Sequence, residues 1–481
     1  MAIRIVDAIS FSEPLLVMTS GAEFETNFAL WKSIHGHAVY TSPYEIPYAA
    51  SYYGWLFYAV YGEIIGTVMR VLSLSDEWLQ TLGRLVSLSV TAAGTWLCWR
   101  ILVLAARGQP LLTRLAAPLA LTIFFGPLIG YWAISLNCEI GATTLTLAGA
   151  YVVLRRYERD RLGTVAIASL LSLAAWSFKQ SYVYPAVTLG LFLLLRRDLA
   201  SLLVMVAIHA LGVSLVIWAG SPAFLGLFFL FDQTMSFAFW QLARNLINLA
   251  VKTTPHLALL VPLAALAMLI PSRWRTLADD TLLAFGVCGL AATSVMTIAA
   301  SAKIGAAENY YFPMVPFLAY AGVAAASWLA EHEVLPRLHS PALTAGFALH
   351  AAACLAVILG FTGVTKVEDY HKRYVEHREC LKGRLSPIIT SDVMSNLPWI
   401  SGSEGPHFVL ANIYYEDRAL GRTFERGGVS GLIKEGYFGT IALWKNSPQE
   451  LDGTNVTLHY EVEVDDCAGL TIYRRRQDAA R

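Results

Sequence analysis

Two carboxylates, Glu23 and Glu25, stand in the polar stretch SGAEFETNFALWKSIHGHAVYTSP (20–43), and a third, Glu139, stands in SLNCEIGATT between two apolar runs. A carboxylate at the edge of lipid is costly unless solvated or paired, and one held there can accept a proton from a reacting hydroxyl. Cations accompany these acids. Arg84 opens GRLVSLSV, Lys179 interrupts AAWSFKQSYVYPA, and Lys303 precedes ENYYFPMVP. Several cations beside carboxylates suit an anionic lipid, whose phosphate they would bind. Tyr310 and Tyr311 in the last stretch, and Tyr53 in an aromatic-rich segment, complete the candidates as substrate-binding groups.

Structural roles compete with the chemical ones. Ser20-Gly-Ala-Glu23 matches a capping box opening a helix over 24–35, which would leave Glu25 as a first-turn acid. Asn137 could cap a helix in which Glu139 is favoured by the dipole. Lys179 could simply reach along its stem to the water interface. His35 and His37 read as solvated residues and make a poor metal site. The six cysteines show no metal-ligand spacing, and no metal ligand is assigned; Cys380 and Cys467 could pair in an oxidising compartment.

These residues must be positioned by membrane-crossing elements. Of 481 residues 56% are hydrophobic and only 15% are charged, which points to a polytopic membrane protein, and the zero net charge gives no sign of a nucleic-acid partner. Apolar runs of bilayer length fall near 78–104, 115–136, 139–154, 163–180, 182–195, 199–219, 255–271, 281–300, 310–330 and 342–363. The fifth is short and contains Pro185, so it would be kinked or only partly inserted. Every second loop is basic: Arg107 and Arg114, then Arg155, Arg156, Arg159 and Arg161, then Arg196 and Arg197, then Arg273 and Arg275. Those loops are read as cytoplasmic, which places Glu23, Glu25 and Glu139 outside.

With ten spans, residues 1–20 have no obvious route outward, being too polar for a signal-peptide core. Either they are short enough to translocate or a first helix lies upstream. Segment 48–65, dense in Tyr and Trp, reads as a helix lying on the outer leaflet; an eleventh span is the alternative. From Thr365 the chain turns polar. A charged helical piece, VEDYHKRYVEHRECLKG, precedes strand-like runs in HFVLANIYY, GTIALWK, NVTLHYEVEV and LTIYRRR. Three parts result: an outer N-terminal region with amphipathic helices (1–77), a helical membrane domain (78–363), and a small periplasmic α+β domain (364–481).

The pattern resembles the C-type glycosyltransferase superfamily (GT-C), of the family 39 and aminoarabinose-transferase kind. That superfamily shows an acid in the first outer loop followed by a helix ending in G-x-x-x-Y, matched by Glu23 and GHAVY. A membrane-lying helix follows (48–65), then an Arg opening a span (Arg84), a second acid two spans later (Glu139), the Lys of FKQ (Lys179), and a Tyr-rich stretch before a late span (YYFPMVP). Two departures stand out. The usual first acid is Asp, whereas this chain has AEFE, and the superfamily's first transmembrane helix is missing.

The resemblance implies an α-helical membrane enzyme of about 10–11 spans in a bacterial inner membrane, with its site facing the periplasm. It would invert the anomeric centre while moving a sugar from a polyprenyl-phosphate donor to a lipid, glycan or protein acceptor. Glu23 would be the base, with Glu25 the alternative to it, Glu139 a second acid that orients the acceptor or assists the base, and Lys179, Arg84 and Lys303 the phosphate ligands. No cofactor is fixed, a divalent cation being the one candidate. The rival readings are a transporter or flippase of lipid-linked saccharides, which usually shows internal repeats not found here, and a non-catalytic envelope-assembly subunit.

Overall fold

The computed structural model describes residues 22–229, 237–253, 256, 259–303, 306–332, 345, 348, 349, 352, 364–410 and 412–476. Segment 1–20, including Ser20 of the capping box, and nearly all of the expected span 342–363 lie outside the described residues.

Helix α1 (Ala22–Ile34) opens with both first-loop acids in its first turn, and α2 (Trp55–Leu72) follows. The bundle continues with α3 (Leu79–Ala105), α4 (Pro110–Phe125), α5 (Cys138–Arg156), α6 (Arg161–Phe178), α7 (Tyr184–Leu195) and α8 (Leu199–Ala219). Then come α9 (Pro222–Phe228), α10 (Phe239–Thr253), α11 (Leu260–Asp279), α12 (Thr281–Ala300) and α13 (Met314–Glu331). Among the described residues six helical stretches are long and apolar enough to cross a membrane. Helix α13 is buried from Met314 to Leu329. Its Ala and Gly positions (Ala319, Ala321, Gly322, Ala324, Ala325, Ala326) let neighbouring backbones approach closely. By contrast α8 turns most of its apolar surface outward, as a lipid-facing helix does.

Helix ends sort onto two faces, and ion pairs mark one of them. Arg107, just past α3, pairs with Asp280 at the start of α12 and Glu331 at the end of α13. Arg196 after α7 pairs with Glu158 after α5. These pairs bring the loops after α3, α5 and α7 together on one face of the bundle. Pro185 does not kink α7. It sits in the first turn, where its missing N–H is no loss. The expected span 115–136 stops at Phe125, before Gly126-Pro127, and a short 3₁₀ turn (Gly130–Ala133) leads to α5.

The aromatic segment divides differently from the expected 48–65 helix. Residues 48–54 are irregular, and α2 has the length and composition to cross a membrane. Its exposed stripe nevertheless carries Glu63 paired with Arg70, a pair better suited to an interface than to lipid. Tyr48 leaves the membrane part altogether and packs, fully buried, on Phe408, Tyr414 and Phe424.

The C-terminal part starts with α14 (Val364–Leu381). Four strands, β1 (Ile388–Thr390), β2 (Thr440–Trp444), β3 (Tyr460–Cys467) and β4 (Leu470–Arg475), form a sheet in the order β1-β2-β4-β3. The β1–β2 pair is parallel and the other pairs are antiparallel. Cys380 and Cys467 form a disulfide tying α14 to the end of β3. The stretch HFVLANIYY is not a strand. Phe408–Leu410 are buried irregular chain, and helix α15 (Asn412–Ala419) follows. Helical spacing suits Tyr414 and Arg418, which sit four residues apart and both reach Asp452.

Candidate active site

Glu23 is buried in the first turn of α1 and meets four donors. Gln80 Nε2 donates at 2.9 Å, Arg84 donates through Nε at 3.2 Å and Nη2 at 3.1 Å, and the Leu136 amide donates at 3.0 Å. Gln80 and Arg84 are one turn apart on α3, so both converge on the same carboxylate. Arg84 is fully buried against Glu23, and both Glu23 oxygens accept hydrogen bonds. Between them they clamp the first loop to α3 and to the turn before α5.

Three residues beyond Leu136 that turn delivers Glu139. Asn137 caps α5 as expected, its side chain accepting the Glu139 amide at 2.9 Å. Glu139 is fully buried. Its Oε1 accepts from the Lys179 ammonium and from the Asn309 side-chain amide, and Oε2 accepts from the Cys138 thiol at 3.3 Å. Tyr182 braces the helix start, its hydroxyl donating to the Glu139 carbonyl at 3.0 Å.

Lys179 follows the last turn of α6 in extended backbone and lies between two rings, 4.9 Å from the Tyr310 centroid and 5.8 Å from that of Tyr53. Such cation–π contacts hold an ammonium without neutralising it. The loop carrying Tyr53 is pinned to α6. The Gly54 amide donates to the Phe178 carbonyl at 2.9 Å, and Gln180 donates to the Tyr52 carbonyl at 2.8 Å. Burial pushes the Tyr53 phenol well above its ordinary pKa, and the nearby charges of Glu139 and Glu25 push it further. Glu25, half-buried, therefore shares the Tyr53 neighbourhood with Glu139.

The remaining candidates separate. Tyr310 faces Lys179, whereas Tyr311 is buried and donates to Ser301 at 2.6 Å. Lys303 is half-buried in a bridge to Phe237, at the base of the loop that carries Asn309 and Tyr310. His35 is not merely solvated, since it bonds Asp76, which also accepts from Trp31. Among the described residues no three His, Cys, Asp or Glu side chains gather as a metal-ligand set.

No protein-family model matches the sequence, and no curated protein matches it. Solved structures do match in shape. ArnT from Cupriavidus metallidurans bound to undecaprenyl phosphate aligns over 100% of this chain and 98% of its own, with a TM-score of 0.55 at 12% identity. Its apo form aligns over 95% and 93%, with a TM-score of 0.56 at 14% identity. The archaeal oligosaccharyltransferase AglB from Archaeoglobus fulgidus, in complex with an inhibitory peptide and a dolichol-phosphate, aligns over 94% of this chain and 70% of its own, with a TM-score of 0.51 at 10% identity.

The chain has the GT-C fold. The helical bundle and the C-terminal part described here both lie within the fold shared with ArnT and AglB. Within it, sequence reasoning missed Gln80, Asn309, Cys138 and Tyr182. Gln80 was detectable as the residue one turn before Arg84, and Asn309 as the polar residue next to Tyr310. Nothing in the sequence reveals that Leu136 turns its amide toward Glu23.

Proposed function

We propose that this chain is an inverting GT-C glycosyltransferase that moves a sugar from a polyprenyl-phosphate donor to an acceptor hydroxyl on the outer face of the membrane. One observation carries the reading: Glu139, Lys179 and Asn309 meet, buried, where the first loop, the start of α5, the end of α6 and the loop before α13 converge. A carboxylate and an ammonium held together out of water are the two groups that this transfer needs. The two neighbours, captured with undecaprenyl phosphate and a dolichol-phosphate, add support from the shared fold.

In the proposed mechanism the donor phosphate competes with Glu139 for the Lys179 ammonium. Glu139, released from that partner, takes the proton of the acceptor hydroxyl. The hydroxyl oxygen forms a bond to the anomeric carbon while the bond from that carbon to the phosphate oxygen breaks. The electron pair leaves with the phosphate, whose growing charge Lys179 balances. No acid need protonate so good a leaving group, in contrast to a glycosidase. Glu25 is the second first-loop acid beside Tyr53, and Lys303 is a second cation for the phosphate. Glu23 and Arg84 act by position, holding the loop and the Glu139 turn together.

Outward placement of the site is supported by the arginine-rich opposite face and by the Cys380–Cys467 disulfide, which an oxidising compartment preserves. Transfer of label from a polyprenyl-phosphate sugar by the purified chain tests the reading. Lys179→Met is expected to abolish transfer, and full activity in that variant would remove Lys179 from the site.

A further inference from the structure

We infer that the side-chain oxygens of Asn309 and Gln180 read hydroxyl groups of the transferred sugar, a step that rests on the glycosyltransferase reading. Asn309 is 8% exposed, and its amide nitrogen donates to Glu139. A carboxylate only accepts, so the nitrogen must face it and the oxygen must face away. That oxygen is buried and has no hydrogen-bond partner among the described residues. Gln180, the neighbour of Lys179, repeats the arrangement. Its nitrogen is fixed on the Tyr52 carbonyl at 2.8 Å, and its buried oxygen likewise has no partner among the described residues.

An unmet buried acceptor is destabilising, so the one on Asn309, which bonds the ion pair, and the one on Gln180, on the turn that follows Lys179 and holds the Tyr52–Tyr53 loop, mark places that a guest completes. The guest must supply donors, because both atoms only accept. A lipid phosphate offers acceptor oxygens, and a polyprenyl tail offers no polar hydrogen. Of a polyprenyl-phosphate sugar, only the sugar carries a set of O–H donors. The centre thus divides into an ammonium for the phosphate, at Lys179, and amide oxygens for the sugar, at Asn309 and Gln180.

The test measures binding of three short-chain prenyl phosphates, carrying no sugar, a hexose or a pentose, to the full-length protein in lipid nanodiscs. Wild type should bind at least one glycosylated probe more tightly than the bare one. Asn309→Leu, which also strips a hydrogen bond from Glu139, should cut the ratio of glycosylated to bare binding by roughly five- to tenfold, the worth of a hydrogen bond. Gln180→Met should act in the same direction, and it serves alone if the Asn309 variant does not fold. An unchanged preference in both variants would mean that the oxygens hold water or the acceptor and not the transferred sugar, and equal losses for all probes would mean that they act through Lys179; either overturns the inference. If wild type binds the bare probe but prefers no sugar, this inference falls while the lipid-phosphate reading stands. If wild type binds none of the probes, both fall.

Discussion

Arg84 grips Glu23 through two nitrogens, Nε at 3.2 Å and Nη2 at 3.1 Å, where both side chains are buried. Removing one partner of such a pair leaves an uncompensated buried charge, at about 3–5 kcal/mol. Arg84→Met should therefore melt well below wild type, and pairing it with Glu23→Gln should recover part of the loss. Thermal unfolding in detergent of the singles and the double checks this. If Glu23→Gln instead melts like wild type and loses transfer entirely, Glu23 is the base and not a clamp.

Gly54 lies so close to α6 that a Cβ there would stand 1.9 Å from the Ser177 carbonyl oxygen. Gly54→Ala should push the loop carrying Tyr53 off Lys179 and lower transfer sharply. Gly36, with φ of +73° and open space around it, is the contrast. Gly36→Ala should cost only about 1–2 kcal/mol of backbone strain and leave transfer intact. Equal activity in the two variants would contradict this account of the loop.

Sidedness has a direct check. A cysteine replacing Arg159, exposed on the arginine face, should resist a membrane-impermeant thiol reagent in intact cells, and one replacing Glu404 on the C-terminal part should react. The opposite pattern would invert the topology and the placement of the site.

Trp31 packs against His37 and His407 where the first loop meets the C-terminal part. Burial, and next the nearby His37, hold the His407 pKa down at about 4 against an ordinary 6.5. Folding thus favours neutral His407. The stability it contributes is full above about pH 6.5 and is lost as pH falls toward 4. Melting temperature should drop over that window in wild type and less steeply in His407→Gln. Parallel slopes would show that the ring does not sense pH.

Local signals in the sequence were legible where one element decides the outcome. Asn137 before an apolar run is a cap whatever surrounds it, and the arginine alternation follows from the membrane alone. Pairings across the chain were not. Arg84 and Glu23 are 61 residues apart, and either could have faced water or lipid until α1 docked on α3. The aromatic density of 48–65 could not show that Tyr48 belongs to the core of the C-terminal part while Tyr53 belongs to the site. HFVLANIYY carries the apolar alternation of a strand. The contacts of Tyr414 and Arg418 with Asp452, a tertiary matter, favour a helix there instead.

The central claim is that Glu139 and Lys179 form the transfer centre, and the double variant Glu139→Gln/Lys179→Met tests it most directly because it leaves no buried charge unpaired. The measurement is transfer of labelled sugar from a polyprenyl-phosphate donor, alongside melting temperature. Melting temperature should stay near wild type and the rate should fall by about 10²–10⁴-fold, the contribution of a positioned base. Transfer at the wild-type rate by the folded double variant would contradict it.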